Sequence, residues 1–317
     1  MPVLKATFKN IKKCALIIKK GGVVAFPTET VYGLGADAFN ENAVLKIFNI
    51  KKRPRFDPLI IHIANKPDLF KLASHVPNKI LRLTQKLWPG PLTIILPKKK
   101  IVPDIVTASM GTVAVRMPDN KIALELIKLS KKFIAAPSAN KFSKLSPTSP
   151  SHILKQLGKD IPIIDGKKTV YGIESTIIKY EKGNYYLLRP GAIEKEKIEK
   201  IIGKKLKKPN KKIIEAPGQI KKHYSPDKKL IIVNGEKDIK KPEESAYISF
   251  YKKPSKNYLF SARLSKDGNL IEAASNLFEI LHLAEESKAK QIYIQKVPEK
   301  GIGLAIMDRI RKASGNE

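Results

Sequence analysis

The chain has 317 residues, 42% of them hydrophobic, and its 61 lysines and arginines against 29 aspartates and glutamates give a formal charge of +32. That length exceeds one ordinary core and predicts two domains, while no stretch approaches the roughly 20 apolar residues that cross a bilayer. Cys14 is the lone cysteine, which excludes an intramolecular disulfide or a thiolate metal cluster.

In chain order, an amphipathic helix is predicted around Cys14 to Ile18, with Cys14 a packed core thiol. A buried strand follows at Val23–Phe26, then Pro27-Thr28-Glu29-Thr30-Val31-Tyr32-Gly33-Leu34-Gly35. Its threonines present hydroxyls, and Gly33 and Gly35 allow positive φ and close approach of a ligand to the backbone; a tight structural turn is the competing reading. Glu41–Ile50 reads as a helix N-capped by Asn40. The cluster Lys51-Lys52-Arg53-Pro54-Arg55 at its end holds four cations in five residues. That is more than a helix dipole asks for, and it predicts a phosphate clamp.

Strands are predicted at Leu59–Ile63, Leu92–Leu96 and Thr112–Val115, and helices at Pro77–Leu87 and Lys121–Lys131. His62 either faces the same pocket as the cation cluster or sits in the core. Arg116 ends an apolar strand, where open α/β sheets hold ligands. After a short strand at Phe133–Ala136, the run Pro137 to Thr148 places three serines, a threonine and an asparagine ahead of a helix at Pro150–Leu157. Backbone N–H groups and hydroxyls in that setting suit an anion. A strand at Ile161–Ile164 and a hairpin, Thr176–Tyr180 with Tyr185–Leu188, complete a mixed α/β domain over residues 1–203. Leu187-Leu188-Arg189-Pro190-Gly191 repeats the strand, arginine, proline arrangement.

Residues 204–227 read as a linker rich in lysine, proline and glycine. A flexible tether has no need of Pro217-Gly218 or His223-Tyr224-Ser225-Pro226, so the linker is expected to pack back on the first domain. Residues 228–317 alternate strands (Leu230–Val233, Ala246–Phe250, Tyr258–Ser261, Gln291–Ile294) with helices (Leu270–Glu286, Leu304–Lys312), which predicts a small doubly wound, Rossmann-like α/β domain.

Only eight arginines occur, at 53, 55, 82, 116, 189, 263, 309 and 311. Their planar forks suit bidentate phosphate or carboxylate binding, and three of them, Arg53, Arg116 and Arg189, fall in the segments above. The five histidines lack metal-ligand spacing, and no reactive cysteine or paired-carboxylate site is visible. This combination favours phosphate chemistry run by positioning and charge neutralisation. The positive charge favours nucleotide or RNA partners, although a lysine- and isoleucine-rich composition also follows from an A+T-rich genome. The start of the chain lacks an apolar signal core, and a cytoplasmic location is expected.

At these residues the chain resembles the Sua5/YrdC/YciO family, in its two-domain Sua5 form. The resemblance rests on Pro-Thr-Glu-Thr-Val-Tyr-Gly-Leu (27–34), Lys-x-Arg-Pro (51–54), Pro-Leu-Ile-Ile-His (58–62), Trp-Pro-Gly-Pro-Leu-Thr (88–93) and Val-Arg-Met-Pro (115–118). Pro-Ser-Ala-Asn (137–140), Ser-Pro-Thr (146–148), Gly-x-x-Ser-Thr-Ile (172–177) and Leu-Arg-Pro-Gly (188–191) follow, then Ala-Pro-Gly (216–218), His-Tyr-Ser-Pro (223–226) and Gly-Leu-Ala-Ile-Met-Asp-Arg (303–309).

The resemblance implies a YrdC-like mixed twisted sheet and condensation of L-threonine, bicarbonate and ATP, with Mg2+, into threonylcarbamoyl-AMP and pyrophosphate. A partner transferase would pass the group to adenosine beside the anticodon of ANN-decoding tRNAs. By motif position, Thr30, His62, Arg116, Ala136 and Ser175 would hold threonine or its carbamate. Arg53, Asp57, Thr112, Ser138, Ser146, Arg189 and Tyr224 would hold ATP, with Lys51, Arg53 and Arg189 catalytic and no protein metal site. The family commonly has Asn at the position of Asp57, and a carboxylate there repels a triphosphate unless a cation intervenes. The loop after Asn140 reads Phe142-Ser143-Lys144 in place of the common Ser-Gly pair. A different class of reading, a double-stranded RNA or tRNA-binding factor without catalysis, draws on the charge alone.

Overall fold

A computed structural model describes residues 3–209, 215–218 and 223–315. Ten strands, β1 (Val3–Lys5), β2 (Val24–Phe26), β3 (Gly33–Asp37), β4 (Ile60–His62), β5 (Leu92–Pro97), β6 (Thr112–Arg116), β7 (Ile134–Ala135), β8 (Ile163–Asp165), β9 (Thr176–Glu181) and β10 (Asn184–Arg189), form one mixed sheet in the order β1-β8-β2-β3-β7-β4-β6-β5-β9-β10. Around it lie α1 (Phe8–Lys19), α2 (Glu41–Lys51), α3 (Leu69–Leu72), α4 (Asn78–Leu87), α5 (Asp104–Thr107), α6 (Lys121–Ser130), α7 (Pro150–Leu157) and α8 (Lys195–Ile202). Side-chain caps start several of the helices: Asn40 Oδ1 accepts from Ala43 N at 3.0 Å, and Asn120 Oδ1 from Ile122 N and Ala123 N.

Alternation along the strands sends successive side chains to opposite faces. Ala25, Leu34, Ile61 and Val115 pack on one face, beneath residues of α2, α4 and α8. Val24, Phe26 and Ile134 point the other way, beneath α1 and α6. Farther along that second face, Ile60, Ile95, Ala114, Ile177 and Leu188 pack with the linker residue Ala216. The site lies where helical cover gives way to linker cover.

The structure corrects several expectations. Gly33 and Gly35 lie in the extended strand β3, paired antiparallel with β2, and neither takes positive φ. Glycine is needed there for close packing, since a Cβ on Gly35 would meet Phe26 Cε1 and Ile134 Cγ2, each at 2.6 Å. Strand β1, too short for a period, and helix α8 were not predicted. Ile198 and Ile202 of α8 join the first core, and Gly203, with φ +67°, ends the helix.

The second sheet, β11 (Lys229–Val233), β12 (Ser245–Ser249), β13 (Phe260–Arg263) and β14 (Gln291–Gln295), is parallel in the order β11-β14-β12-β13. Its helices α9 (Leu270–Glu286) and α10 (Gly303–Ser314) both pack on the face formed by Leu230, Ala246, Ile248, Ile292 and Ile294. The opposite face carries Tyr247 and Tyr293 under Ile239 and Tyr258. The unit is therefore wound on one side only, because the β11–β12 and β12–β13 connections contain no α-helix. The helical face also packs with Val31, Leu145, Ile173 and Tyr224 of the first domain and linker. Among the described residues no helix is long and apolar enough to cross a membrane.

Candidate active site

A cavity of about 50 Å³ opens where β2, β4, β6 and β10 end and β3 and β9 begin; its wall includes Thr30, Arg53, His62, Arg116, Ala136, Ser138, Ser175, Arg189 and Tyr224. Chain segments far apart in sequence thus converge on one point, as sheet topology dictates for strand ends.

Parallel pairing of β4 with β6 sets His62 opposite Arg116. Arg116 Nη2 donates to Glu29 Oε1 at 2.6 Å and to Thr30 Oγ1 at 3.0 Å. The 28–32 loop is held by its own hydroxyls: Thr28 Oγ1 donates to the Val31 carbonyl at 2.7 Å and lies 2.8 Å from Thr30 Oγ1. His62 is neutral, because burial and the neighbouring Arg116 charge pull it down to about 3. A break in register between Leu187 and Arg189 re-aims the arginine at the end of β10. Its Nε and Nη2 then donate to the Ser175 carbonyl at 3.1 and 3.0 Å, and Nη1 to the Pro217 carbonyl at 3.3 Å. Ser175 is fixed in turn by Thr93 at 2.7 Å.

The four-cation cluster divides. Lys52 and Arg55 are exposed, while Lys51 and Arg53 turn inward. Lys51 Nζ donates to the carbonyls of Ser138, at 2.6 Å, and Asn140; burial, then the Arg53 charge, pulls its ammonium well below the usual range. Lys51 therefore braces the serine loop from behind and is not on the wall. Arg53 pairs with Asp57 Oδ1 at 2.8 Å and donates to the carbonyls of Asp57 and Pro58. Asp57 is fully buried behind that guanidinium, so the intervening cation that a carboxylate requires here is Arg53. Ser146, off the wall, donates to Glu174. Thr112 stands at the far end of β6 from Arg116, partly exposed and paired with Pro97, so the structure does not bring it to the cavity.

Tyr224 is buried and takes φ +61°. Its ring packs on His223, with centroids 4.1 Å apart, and on Phe278 of α9. Ser225 N donates to the Ser143 carbonyl, and Phe142 meets His223 edge-on at 6.0 Å, so the unusual 142–144 loop is a docking surface for the linker. Gly218, with φ +82°, has no room for a side chain: a Cβ would lie 2.5 Å from the Tyr224 hydroxyl. The linker residues 210–214 and 219–222 lie outside the described residues.

The sequence assigned no ligand role to Glu174, His223 or Thr28, which also line the cavity, nor to the buried Asn140, although Thr28, His223 and Asn140 stood in the segments it marked. Glu174 was legible as the one acid in an otherwise apolar and hydroxylated segment. Burial raises its carboxyl, but Arg309, Arg189 and the Ser146 hydrogen bond outweigh that and hold it at about 2. Several wall residues keep buried polar atoms without a partner among the described residues: His62 Nδ1, Arg116 Nε, His223 Nδ1 and Tyr224 Oη. Buried polar groups are rarely left so unless something else binds them.

These features define a two-domain α/β protein whose first domain carries a buried, arginine-lined cavity at its strand ends, closed by an interdomain linker. The Sua5/YciO/YrdC family model, described as telomere recombination, matches residues 16–191, and a model described as the C-terminal domain of threonylcarbamoyl-AMP synthase matches 193–315. A threonylcarbamoyl-AMP synthase of Pyrococcus abyssi is 44% identical over 96% of this chain and 94% of its own length. One of Bacillus subtilis is 40% identical over 96% and 93%. The crystal structure of P. abyssi Sua5 complexed with L-threonine superposes with a TM-score of 0.93 at 40% identity, over 100% of this chain and 98% of that one. The chain belongs to the Sua5/YciO/YrdC family, in its two-domain form.

Proposed function

We propose that this protein is an L-threonylcarbamoyladenylate synthase, a nucleotidyltransferase that joins L-threonine, bicarbonate and ATP into threonylcarbamoyl-AMP and releases pyrophosphate. The observation that carries the reading is the meeting of Arg53, Arg116, Arg189, Ser138 and Ser175 in one cavity of a chain 44% identical to a named synthase.

Thr30, His62, Arg116, Ala136 and Ser175 form the threonine side, with Arg116 for the carboxylate and neutral His62 as a hydrogen-bonding partner. Arg53, Ser138, Arg189 and Tyr224 form the ATP side, and Lys51 positions the Ser138 loop. The threonine amine takes up CO2 with loss of a proton, or bicarbonate with loss of water, as a carbamate; a carbamate oxygen attacks the α-phosphorus, and the α–β bridging oxygen leaves with pyrophosphate. The arginines neutralise the charge that builds on the phosphates. Mg2+ is proposed to arrive with ATP, held by phosphate oxygens and water; Asp57, Glu29 and Glu174 are engaged by arginines.

A cavity of about 50 Å³ is far below the roughly 300–1,000 Å³ of small-molecule sites. Pro217, Gly218, His223 and Tyr224 therefore have to withdraw before both substrates fit. The reading is tested by incubating the protein with ATP, Mg2+, threonine and bicarbonate and searching for the mixed anhydride by mass spectrometry. Pyrophosphate release that needs both threonine and bicarbonate is expected, and release indifferent to either would refute it.

A cytoplasmic location and delivery of the product to a tRNA-modifying transferase belong to the same proposal. Direct RNA contact is a second reading, favoured by a groove of about 790 Å³ that includes Lys71, Lys99, Lys128, Lys131 and Lys132. Binding of double-stranded RNA that weakens steeply with salt supports it.

A further inference from the structure

Arg309 belongs to α10 of the second domain, yet it is the bulkiest fully buried side chain among the described residues. Its Nε donates to Glu174 Oε2 at 2.8 Å, and its Nη1 to the Pro190 carbonyl at 3.0 Å and to Asp308 Oδ2 at 2.5 Å. Its guanidinium lies 5.1 Å from the centre of the Tyr224 ring. These contacts reach three segments that build the cavity: the one that leads into β9, the end of β10, and the linker.

The arrangement answers an electrostatic problem. Glu174 lies on the wall of a cavity otherwise suited to anions, one residue before Ser175, which Arg189 grips. An uncompensated carboxylate there would repel phosphates and compete for the Arg189 guanidinium. The groups that act on it are Arg309 from α10, Arg189 from β10, Ser146 from its loop, and His223 and Tyr224 from the linker, while Asp308 of α10 meets Arg309. Asp308 is itself shared with Lys312 at 2.6 Å, so the net cation offered to Glu174 from the second domain is Arg309.

We infer that Arg309 is a positioning residue through which the second domain completes the site in the first: it occupies Glu174 from behind and so leaves Arg189 for the triphosphate. The inference rests on ATP being the nucleotide, as proposed above. Because the pair is buried, removing either partner would leave the other charge alone.

The test measures ATP affinity with Mg2+ by calorimetry, together with steady-state pyrophosphate release, in Arg309→Met, Arg309→Lys and the double variant Arg309→Met/Glu174→Gln. Arg309→Met is expected to weaken ATP binding at least tenfold, about 1.4 kcal/mol, with the threonine KM within threefold of wild type. The double variant, which removes the stray carboxylate, is expected to recover ATP affinity to within threefold. Wild-type ATP affinity in Arg309→Met, or an equal loss for both substrates that the double variant does not recover, overturns the inference and reduces Arg309 to packing. Should Arg309→Met fail to fold, the double variant decides: near-wild-type ATP affinity supports the inference, and a tenfold loss overturns it. A wild-type protein that binds ATP but forms no pyrophosphate refutes the proposed reaction and leaves the Arg309 test standing.

Discussion

Arg189 differs from the other two wall arginines in what holds it. Arg53 is paired with Asp57 and Arg116 with Glu29, whereas Arg189 rests on two carbonyls and a hydroxyl and has no carboxylate within ion-pair distance among the described residues. A guanidinium held by neutral acceptors keeps its full charge for a ligand. Arg189→Ala is therefore expected to lower kcat/KM for ATP by about 10²–10³-fold, with an unchanged circular dichroism spectrum. Turnover close to wild type would remove Arg189 from the mechanism. Lys51→Ala is expected to lose activity by a different route, since its ammonium ties the Ser138 and Asn140 carbonyls and so shapes the loop. Residue types were the most legible level of this chain. Scarce arginines close to prolines, at two strand ends and just past α2, pointed to the cavity, but which of the four cations from Lys51 to Arg55 turn inward depended on Asp57 and on the carbonyls of a loop some 90 residues away.

At the scale of elements, period and caps marked most helices and strands to within a few residues, because burial on one face imposes a repeat on the sequence itself. β3 escaped, since its two glycines read as a turn; the pressure for glycine comes from Phe26 and Ile134 across the sheet, which local sequence does not show. Gly35→Val is accordingly expected to cost about 1–3 kcal/mol by overpacking and to lower the Tm by several degrees in a thermal melt. An unchanged Tm would mean that Phe26 and Ile134 yield more readily than their packing indicates. The bulge in β10 is a second such case: the Leu-Arg-Pro run is visible, but the extra residue that re-aims Arg189 emerges only when β9 is laid beside it.

At the scale of the molecule, the domains are fastened by groups that neither domain uses alone. His152 of α7 stacks on His282 of α9, with centroids 3.8 Å apart, and His282 Nε2 is 3.2 Å from the Ser146 carbonyl. Burial, reinforced by nearby lysines for His152 and by His152 itself for His282, pulls the two down to about 4 and about 3. A histidine depressed in the folded state stabilises fully above its unfolded pKa of about 6.5, and that stability is lost as pH falls toward the folded value. Unfolding free energy is thus expected to fall between about pH 6.5 and 4, by up to about 1.4 kcal/mol per pH unit for each histidine. Urea titrations at several pH values should show a shallower slope for His282→Gln, and an equal slope would show that the interface does not depend on keeping the ring neutral.

The order of motifs and the division into two domains were settled by the sequence alone, because hydrophobic period, turn residues and charged clusters are properties of neighbouring residues. Only the tertiary structure decided which charge faces which. The Arg309–Glu174 pair joins positions 135 apart, and its meaning comes from burial, where a lone carboxylate is costly and a paired one leaves Arg189 to its ligand.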